Sequence, residues 1–293
     1  MCKQYSSLIE EFGNSKVKLN RVQSTADEYM DQTNRFAEWL LSKSEQTEMT
    51  IESWRNVTRK DCSNYSQFLR KTLSVNTTKK HFASIGQFFS FLMTEYDFDS
   101  NPSAKTQIKK DKQTEEKIYL LHEQGVEIFE ASKTNRDKLL VGLQLYLGLR
   151  QGEAVSIKTK HVDLENWRIK VFREKGKRWQ TLPIVSALKD LIKEYMETTC
   201  IYRDYLFQSP RVNQPITTRA ARDVFNEICD NLGFDKSITM HQLRRLFAID
   251  LYYNKGFQIH QISKLLDHSD ISITQIYLSS VDAGNINDKF AQL

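Results

Sequence analysis

Between Asn76 and Tyr96 the side chains Phe82, Ile85, Phe89 and Leu92 recur every three or four residues. That period lines them up along one face of an α-helix, and such a face must be buried against other elements. Upstream segments offer partners. Ser24-Thr-Ala-Asp27 resembles an N-cap box, and Tyr29, Phe36, Trp39 and Leu40 follow it at helical spacing. A second helix is expected over Val57–Leu73, with Tyr65, Phe68 and Leu69 inward. Only 4 prolines and 10 glycines occur among 293 residues, so long helices are easier to build than turn-rich β structure. Residues 24–100 are therefore expected to form a small all-helical domain. Residues 1–23 are polar and weakly patterned, an N-terminal arm that is either flexible or a short helix.

Residues 101–117 break the pattern. Lys105, Lys109, Lys110 and Lys112 stand there among polar residues, which marks a basic linker. A solvated tether explains it; in a DNA-binding chain the same lysines would follow the phosphate backbone, each adding salt-dependent affinity. From 118 to 293 a second domain is expected. Helices are predicted over Leu120–Ser132 and Asn135–Leu147, followed by an antiparallel β meander. Its strands alternate apolar and polar residues through Val162–Phe172 and Trp179–Ile184, around a glycine turn at Glu174–Arg178. Further helices are predicted over Ser186–Thr198, Thr217–Leu232, His241–Asn254, Ile259–Leu266 and Ile271–Ser279, with Gly256 as a left-handed terminator. The expected class is mainly α with a small antiparallel sheet.

Chemistry-bearing groups concentrate in this second part. His241 and Arg244, three apart on a helix, share one face, with Leu243, Leu246, Phe247 and Ile249 turned toward the core. His268 precedes a helix start, and Tyr277 follows nine residues later. Arg150 ends the apolar stretch Leu139–Leu149 in Leu147-Gly-Leu-Arg-Gln-Gly-Glu153. An arginine there must pair or bind an anion, and Glu153 is the natural residue to orient it. Lys175 sits at the predicted hairpin tip, with Lys177 and Arg178 as close competitors. Each group alone is explained by packing or by a solvated surface. Together, two guanidiniums that clamp phosphate oxygens and a tyrosine that holds phosphorus covalently suit attack on a phosphodiester.

The ordered set of Arg150 in L-G-L-R-x-G-E, Lys175 in the turn, His241-x-L-Arg244, His268 and Tyr277 in T-Q-I-Y resembles the tyrosine recombinases, the phage integrases and Xer-type enzymes. The likeness is close over 118–282; residues 24–100 resemble that family's core-binding domain in layout only. It implies a two-domain clamp on duplex DNA bearing specific recombination sites. Tyr277 would form a 3′-phosphotyrosyl bond, Arg150 and Arg244 would hold the non-bridging oxygens, and Lys175 would protonate the leaving 5′ oxygen. His241 would accept the tyrosine proton and His268 would hydrogen-bond the phosphate. No metal, ATP or other cofactor is needed, because the bond energy stays in the protein–DNA ester. The resemblance also implies a homotetramer on two sites, leaves room for an accessory DNA-bending protein, and adds Lys177 and Arg178 to the DNA-contacting candidates. Three positions depart from the family: Met240 replaces a frequent Pro, Arg245 a frequent His, and Asp267 a common Gly. Asp267 would raise the basicity of His268 or face solvent.

Composition excludes several classes. At 40% hydrophobic and 27% charged residues the chain is too apolar for disorder. A net charge of +5 is a mild bias toward polyanions. Four scattered cysteines at no metal-ligand spacing read as reduced structural thiols. The longest apolar run is too short for a membrane, and Met1-Cys-Lys-Gln-Tyr lacks a signal core, so a cytoplasmic, nucleoid-associated protein is expected. Two rival readings share these features: a catalytically silent DNA-binding regulator on the same scaffold, and a type IB topoisomerase-like relaxing enzyme. Ile286, Phe290 and Leu293 near the end are expected to dock the tail on a neighbouring protomer.

Overall fold

A computed structural model describes residues 6–18, 23–108, 118–200 and 203–279. The chain divides into two compact units, Met1–Glu115 and Glu116–Leu293. The whole is mainly helical with one small antiparallel sheet, the class expected.

The first unit holds α1 (Ser7–Lys18), α2 (Gln23–Leu41), α3 (Ile51–Arg55), α4 (Arg59–Arg70) and α5 (Val75–Glu95). In α5 the predicted stripe of Phe82, Ile85, Phe89 and Leu92 is buried, and so are Phe88 and Phe91. The helix is therefore enclosed over a wider arc than one stripe. Helix α1 explains the extra width. Residues 7–18, assigned to the N-terminal arm from their polarity, form a helix whose Ile9 and Phe12 are fully buried. Phe12 meets Phe88 edge-on at a centroid distance of 5.4 Å and lies 5.7 Å from Phe91. Two apolar residues three apart were enough to seat the helix and too few to show a period.

Other local expectations shift for identifiable reasons. Ser24 lies inside α2, which is already helical at Gln23, and Asp27 accepts the Gln23 side-chain amide at 2.8 Å. The segment 57–73 starts later than predicted because Thr58 caps α4 in a reciprocal box with Asp61. Phe68, expected inward, is 50% exposed at the edge of the Tyr65 and Trp39 rings. Of the linker, residues 101–108 pack on this unit: the Asn101 amide donates to the Gly86 carbonyl, and Ile108 joins the core. Lys105 is exposed there, whereas Lys109, Lys110, Lys112 and the tail beyond 279 lie outside the described residues.

The second unit is built around α7 (Asn135–Leu147), apolar on all sides and enclosed by α6 (His122–Glu130), α9 (Ser186–Thr199), α10 (Thr218–Asn231) and α11 (Met240–Tyr253). Gly148 ends α7 at φ +60°, where a Cβ would stand 2.4 Å from the Phe247 ring. Only glycine fits this left-handed, crowded corner. The chain then enters the short α8 (Gln151–Val155). The sheet runs β1 (Val162–Asp163), β2 (Arg168–Arg173) and β3 (Arg178–Pro183), in antiparallel order with Arg173 opposite Arg178. In the turn between them the left-handed residue is Lys177 (φ +46°). Helix α12 (Ile259–Leu266) follows Gly256, left-handed as predicted, and residues 271–279 are helical. Cys62, Cys200 and Cys229 are unpaired and buried. Among the described residues no helix is long and apolar enough to cross a membrane.

Phe12→Ala should remove about 3–5 kcal/mol from the first unit, the usual cost of emptying a phenylalanine site. Denaturation of the full chain checks this, and an unmoved transition would show that α1 is not part of that core.

Candidate active site

The site grows from the corner between α7 and α8. Arg150 sits at the N-cap of α8, and Glu153, fully buried, reaches back to accept its backbone N–H at 2.8 Å. The same carboxylate accepts the Arg150 guanidinium at 2.6 Å, so the predicted pairing is present. It also accepts Nη1 of Arg173 at 2.5 Å and lies 3.7 Å from Nη1 of Arg244. One carboxylate thus faces three guanidiniums. Burial alone would raise the Glu153 pKa, but Arg173 and Arg150 pull it below the ordinary carboxylate value. Arg173 was not anticipated. The alternation of β2 carries it: Ile169, Val171 and Arg173 all point inward, and an arginine in that series is easily taken for an exposed strand end.

Three consecutive carbonyls at the end of α12 receive the three guanidiniums. Arg173 Nη2 donates to Leu265 O at 2.7 Å, Arg244 Nη2 to Leu266 O, and Arg150 Nη2 to Asp267 O at 2.9 Å. Arg244 also donates to the Gly148 carbonyl at 2.5 Å. Arg244 is therefore interior, 1% exposed, rather than projecting beside His241 from an open face. Leu243 and Leu246 do enter the core as expected, while Phe247 and Ile249 are half-buried. Burial, then repulsion from Arg150, lowers the Arg244 pKa to about 10, still cationic at neutral pH.

Tyr277 is buried in this cationic surround. Its hydroxyl lies 2.6 Å from Nε2 of His241, and it is hydrogen-bonded to Arg244. Burial raises the phenol pKa, offset in part by Arg244 and Arg150. Desolvation of the ring, then the Arg244, Arg150 and Lys175 charges, lower that of His241 although the residue lies at the exposed start of α11. We therefore assign the proton of this contact to the phenol, which donates to a neutral imidazole. His268 stands edge-on to Tyr277 at 5.3 Å between ring centroids, and its Nδ1 is 2.8 Å from the hydroxyl of fully buried Thr274. Thr274 was likewise unforeseen as an orienting group; its place in T-Q-I-Y, one helical turn before the tyrosine, was the available signal. Burial and the surrounding cations lower the His268 pKa to about 4.

Lys175 lies exposed in the β2–β3 turn, and its charge acts on both histidines. Lys177 is exposed beside it, and Arg178 is engaged with Asp267 at 2.6 Å. Asp267 neither faces solvent nor lifts the His268 pKa. It is buried at φ +52°, which explains why glycine suits this position. Arg245 covers the Tyr119 ring at 4.0 Å, and Met240 is buried. Among the described residues no cluster of three or more His, Cys, Asp or Glu side chains is arranged to hold a metal ion.

Residues 119–283, more than half of the chain, match the model of the phage integrase family. The chain belongs to the phage integrase family, the tyrosine recombinases, enzymes that cleave and rejoin DNA. It is 28% identical over 276 residues to the tyrosine recombinase XerC of Bacillus subtilis (strain 168), spanning 89% of this chain and 88% of that protein. It is 29% identical over 234 residues to a tyrosine recombinase of Pseudothermotoga lettingae, 78% of this chain and 80% of the relative. Its fold resembles that of a lambda integrase dimer bound to a COC′ core site (TM-score 0.74, 16% identity, 93% of this chain and 94% of that one). XerH recombinase bound to a palindromic difH substrate is similar at a TM-score of 0.69 and 20% identity, over 88% of this chain and 77% of that one.

Two measurements follow for this recombinase. Arg173→Ala should cost about 3–5 kcal/mol by stranding part of a buried ion network; thermal or denaturant melts report it. His268 should titrate near pH 4 instead of its ordinary 6.5 in an NMR titration of the DNA-free protein. Between those values the unfolded imidazole binds a proton and the folded one does not, so stability should fall on acidification through that window. His268→Gln should flatten that part of the profile; an unchanged slope would contradict the assignment.

Proposed function

We propose that this recombinase cuts a specific duplex site by attack of the Tyr277 oxygen on the scissile phosphorus. A Tyr277 O–P bond forms as the P–O5′ bond breaks, leaving a 3′-phosphotyrosyl ester and a 5′-hydroxyl. Arg150 and Arg244 hold the non-bridging oxygens, where positive charge offsets the charge that develops at the pentavalent phosphorus. The phenol proton passes to His241, and Lys175 gives a proton to the departing 5′ oxygen. His268, with Nδ1 taken by Thr274, presents Nε2–H to the phosphate. The ester conserves the bond energy, and a 5′-hydroxyl from another strand reverses the step to rejoin.

The observation that carries this reading is the 2.6 Å contact of the Tyr277 hydroxyl with His241 inside a ring of guanidiniums. Among the described residues of the second unit no other arrangement joins a nucleophile, its base and two anion clamps. For the assembly, a homotetramer on two sites is the parsimonious form, since exchange of two duplexes requires four cuts. Solved relatives include a lambda integrase tetramer bound to a Holliday junction. In this reading residues 24–100 are the core-binding domain and residues 118–293 the catalytic domain, which together clamp the duplex. Lys105, Lys109, Lys110, Lys112 and Lys177 contact backbone phosphate, an accessory DNA-bending protein is compatible with the scheme, and the enzyme works in the cytoplasm on nucleoid DNA.

A suicide duplex nicked beside the scissile phosphate should trap the parent protein as a covalent adduct that resists denaturation. Tyr277→Phe should form none while still retarding the same DNA in a gel. Adduct formation by Tyr277→Phe would assign the nucleophile elsewhere.

A further inference from the structure

We propose that Arg178 and Asp267 are positioning residues whose ion pair holds the β2–β3 turn, and with it Lys175, over the reacting phosphate. The inference rests on Lys175 as the donor to the leaving 5′ oxygen and adds how this chain keeps that flexible ammonium in place.

The turn over residues 174–177 is tethered on both sides. At its entry Arg173 donates to the Leu265 carbonyl at 2.7 Å. At its exit, from the position paired with Arg173, Arg178 grips Oδ1 of Asp267 through Nη2 at 2.6 Å and Nε at 3.0 Å. Both tethers end on the last turn of α12, immediately before His268. Between them Gly176 rests on the same carboxylate: a Cβ there would stand 3.1 and 3.2 Å from the two Asp267 oxygens. The Lys175 backbone is thus fixed from the next residue onward, while its side chain stays free to reach the site.

Asp267 is an unusual residue to find in this place. Its backbone is left-handed (φ +52°, ψ +47°), a conformation an L side chain adopts at a cost, although Asp bears it better than most. The carboxylate is buried, and Oδ2 has no hydrogen bond, with Arg150 Nη1 at 3.8 Å. A strained backbone and a half-satisfied buried carboxylate are both retained at a position where glycine would avoid both. The grip on Arg178 is the compensating interaction. Arg178, 61% exposed, has no role in the core that would otherwise place it there.

Two substitutions test this without threatening the fold. Asp267→Gly suits the left-handed backbone, and Arg178→Ala truncates a largely exposed side chain. Single-turnover cleavage is measured on nicked suicide duplexes carrying either the ordinary 5′ oxygen or a bridging 5′ sulfur, whose thiolate departs without a proton. Each variant should slow cleavage of the oxygen substrate by about ten- to a hundredfold, as expected when a catalytic group is misplaced by an ångström. The sulfur substrate should restore most of the rate, and the double variant should be no slower than either single one. Parent-like rates, or equal slowing on both substrates, would overturn the tether. Lys175→Ala runs alongside. If sulfur restores that variant and not the other two, only the tether fails. If sulfur does not restore Lys175→Ala, the donor assignment fails and the tether's catalytic role with it.

Discussion

The Glu153 carboxylate is the point on which the second unit closes. It is fully buried, it caps α8 through the Arg150 N–H, and it neutralises guanidiniums from three separate parts of the chain. Burying any one of those charges alone would be costly, and burying the carboxylate alone equally so. Held together, they tie the α7–α8 corner to β2 and to α11. The balance is unequal: two carboxylates, Glu153 and Asp267, meet the four guanidiniums of Arg150, Arg173, Arg244 and Arg178, and the surplus of positive charge is one that a phosphodiester is suited to neutralise. Burial, with this surplus adding to it, depresses the pKa values of His241 and His268, and the surplus opposes the rise that burial imposes on Tyr277.

What the sequence discloses depends on whether the cause is local. The stripe on α5, the bounds of α7 and α12, the alternation of β2 and the left-handed Gly256 each follow from residues within a turn or two of one another. Arg150 with Glu153, and His268 with Tyr277, were legible because they stand at short fixed spacing, whereas His241, 36 residues before Tyr277, was joined to it only by the family resemblance. Arg173 was hidden for the opposite reason. Its partners are Glu153, Gln180 and the Leu265 carbonyl, and only the third dimension brings them to one inward strand position. Phe68 fails in the other direction: helical spacing put it in line with Tyr65 and Leu69, but the neighbouring helices do not reach far enough to cover it. Helix α1 was obscured because few apolar residues suffice when they fit against a partner rich in phenylalanine.

Protonation follows from the same electrostatics. A phenol whose pKa is raised and an imidazole whose pKa is lowered meet in a contact where the proton rests on oxygen, and in the proposed reaction it leaves only as phosphorus is attacked. His241 is then an empty acceptor at neutral pH, and the adjacent guanidiniums favour the tyrosinate-like charge that grows as the proton leaves. Arg150 and Arg244 are already held by hydrogen bonds in the DNA-free protein, the pre-organisation that the proposed clamp requires.

That fixity comes from the end of α12. The last carbonyls of a helix have no partner within it, and the helix dipole places partial negative charge there. Leu265, Leu266 and Asp267 offer these carbonyls to Arg173, Arg244 and Arg150 in turn. The cations are thereby oriented by neutral peptide groups as well as by Glu153, so most of their charge is left uncompensated. Carboxylates in place of these carbonyls, beyond Glu153 and the Arg178-paired Asp267, would orient the arginines equally well but cancel the charge that the proposed reaction needs at the phosphate. The left-handed turn at Asp267 completes the set by directing the third carbonyl back toward Arg150 while leading the chain into His268. A single helix terminus therefore orients Arg150 and Arg244, the two clamps of the proposed reaction, together with the buried Arg173 between them, and sets where the following histidine begins.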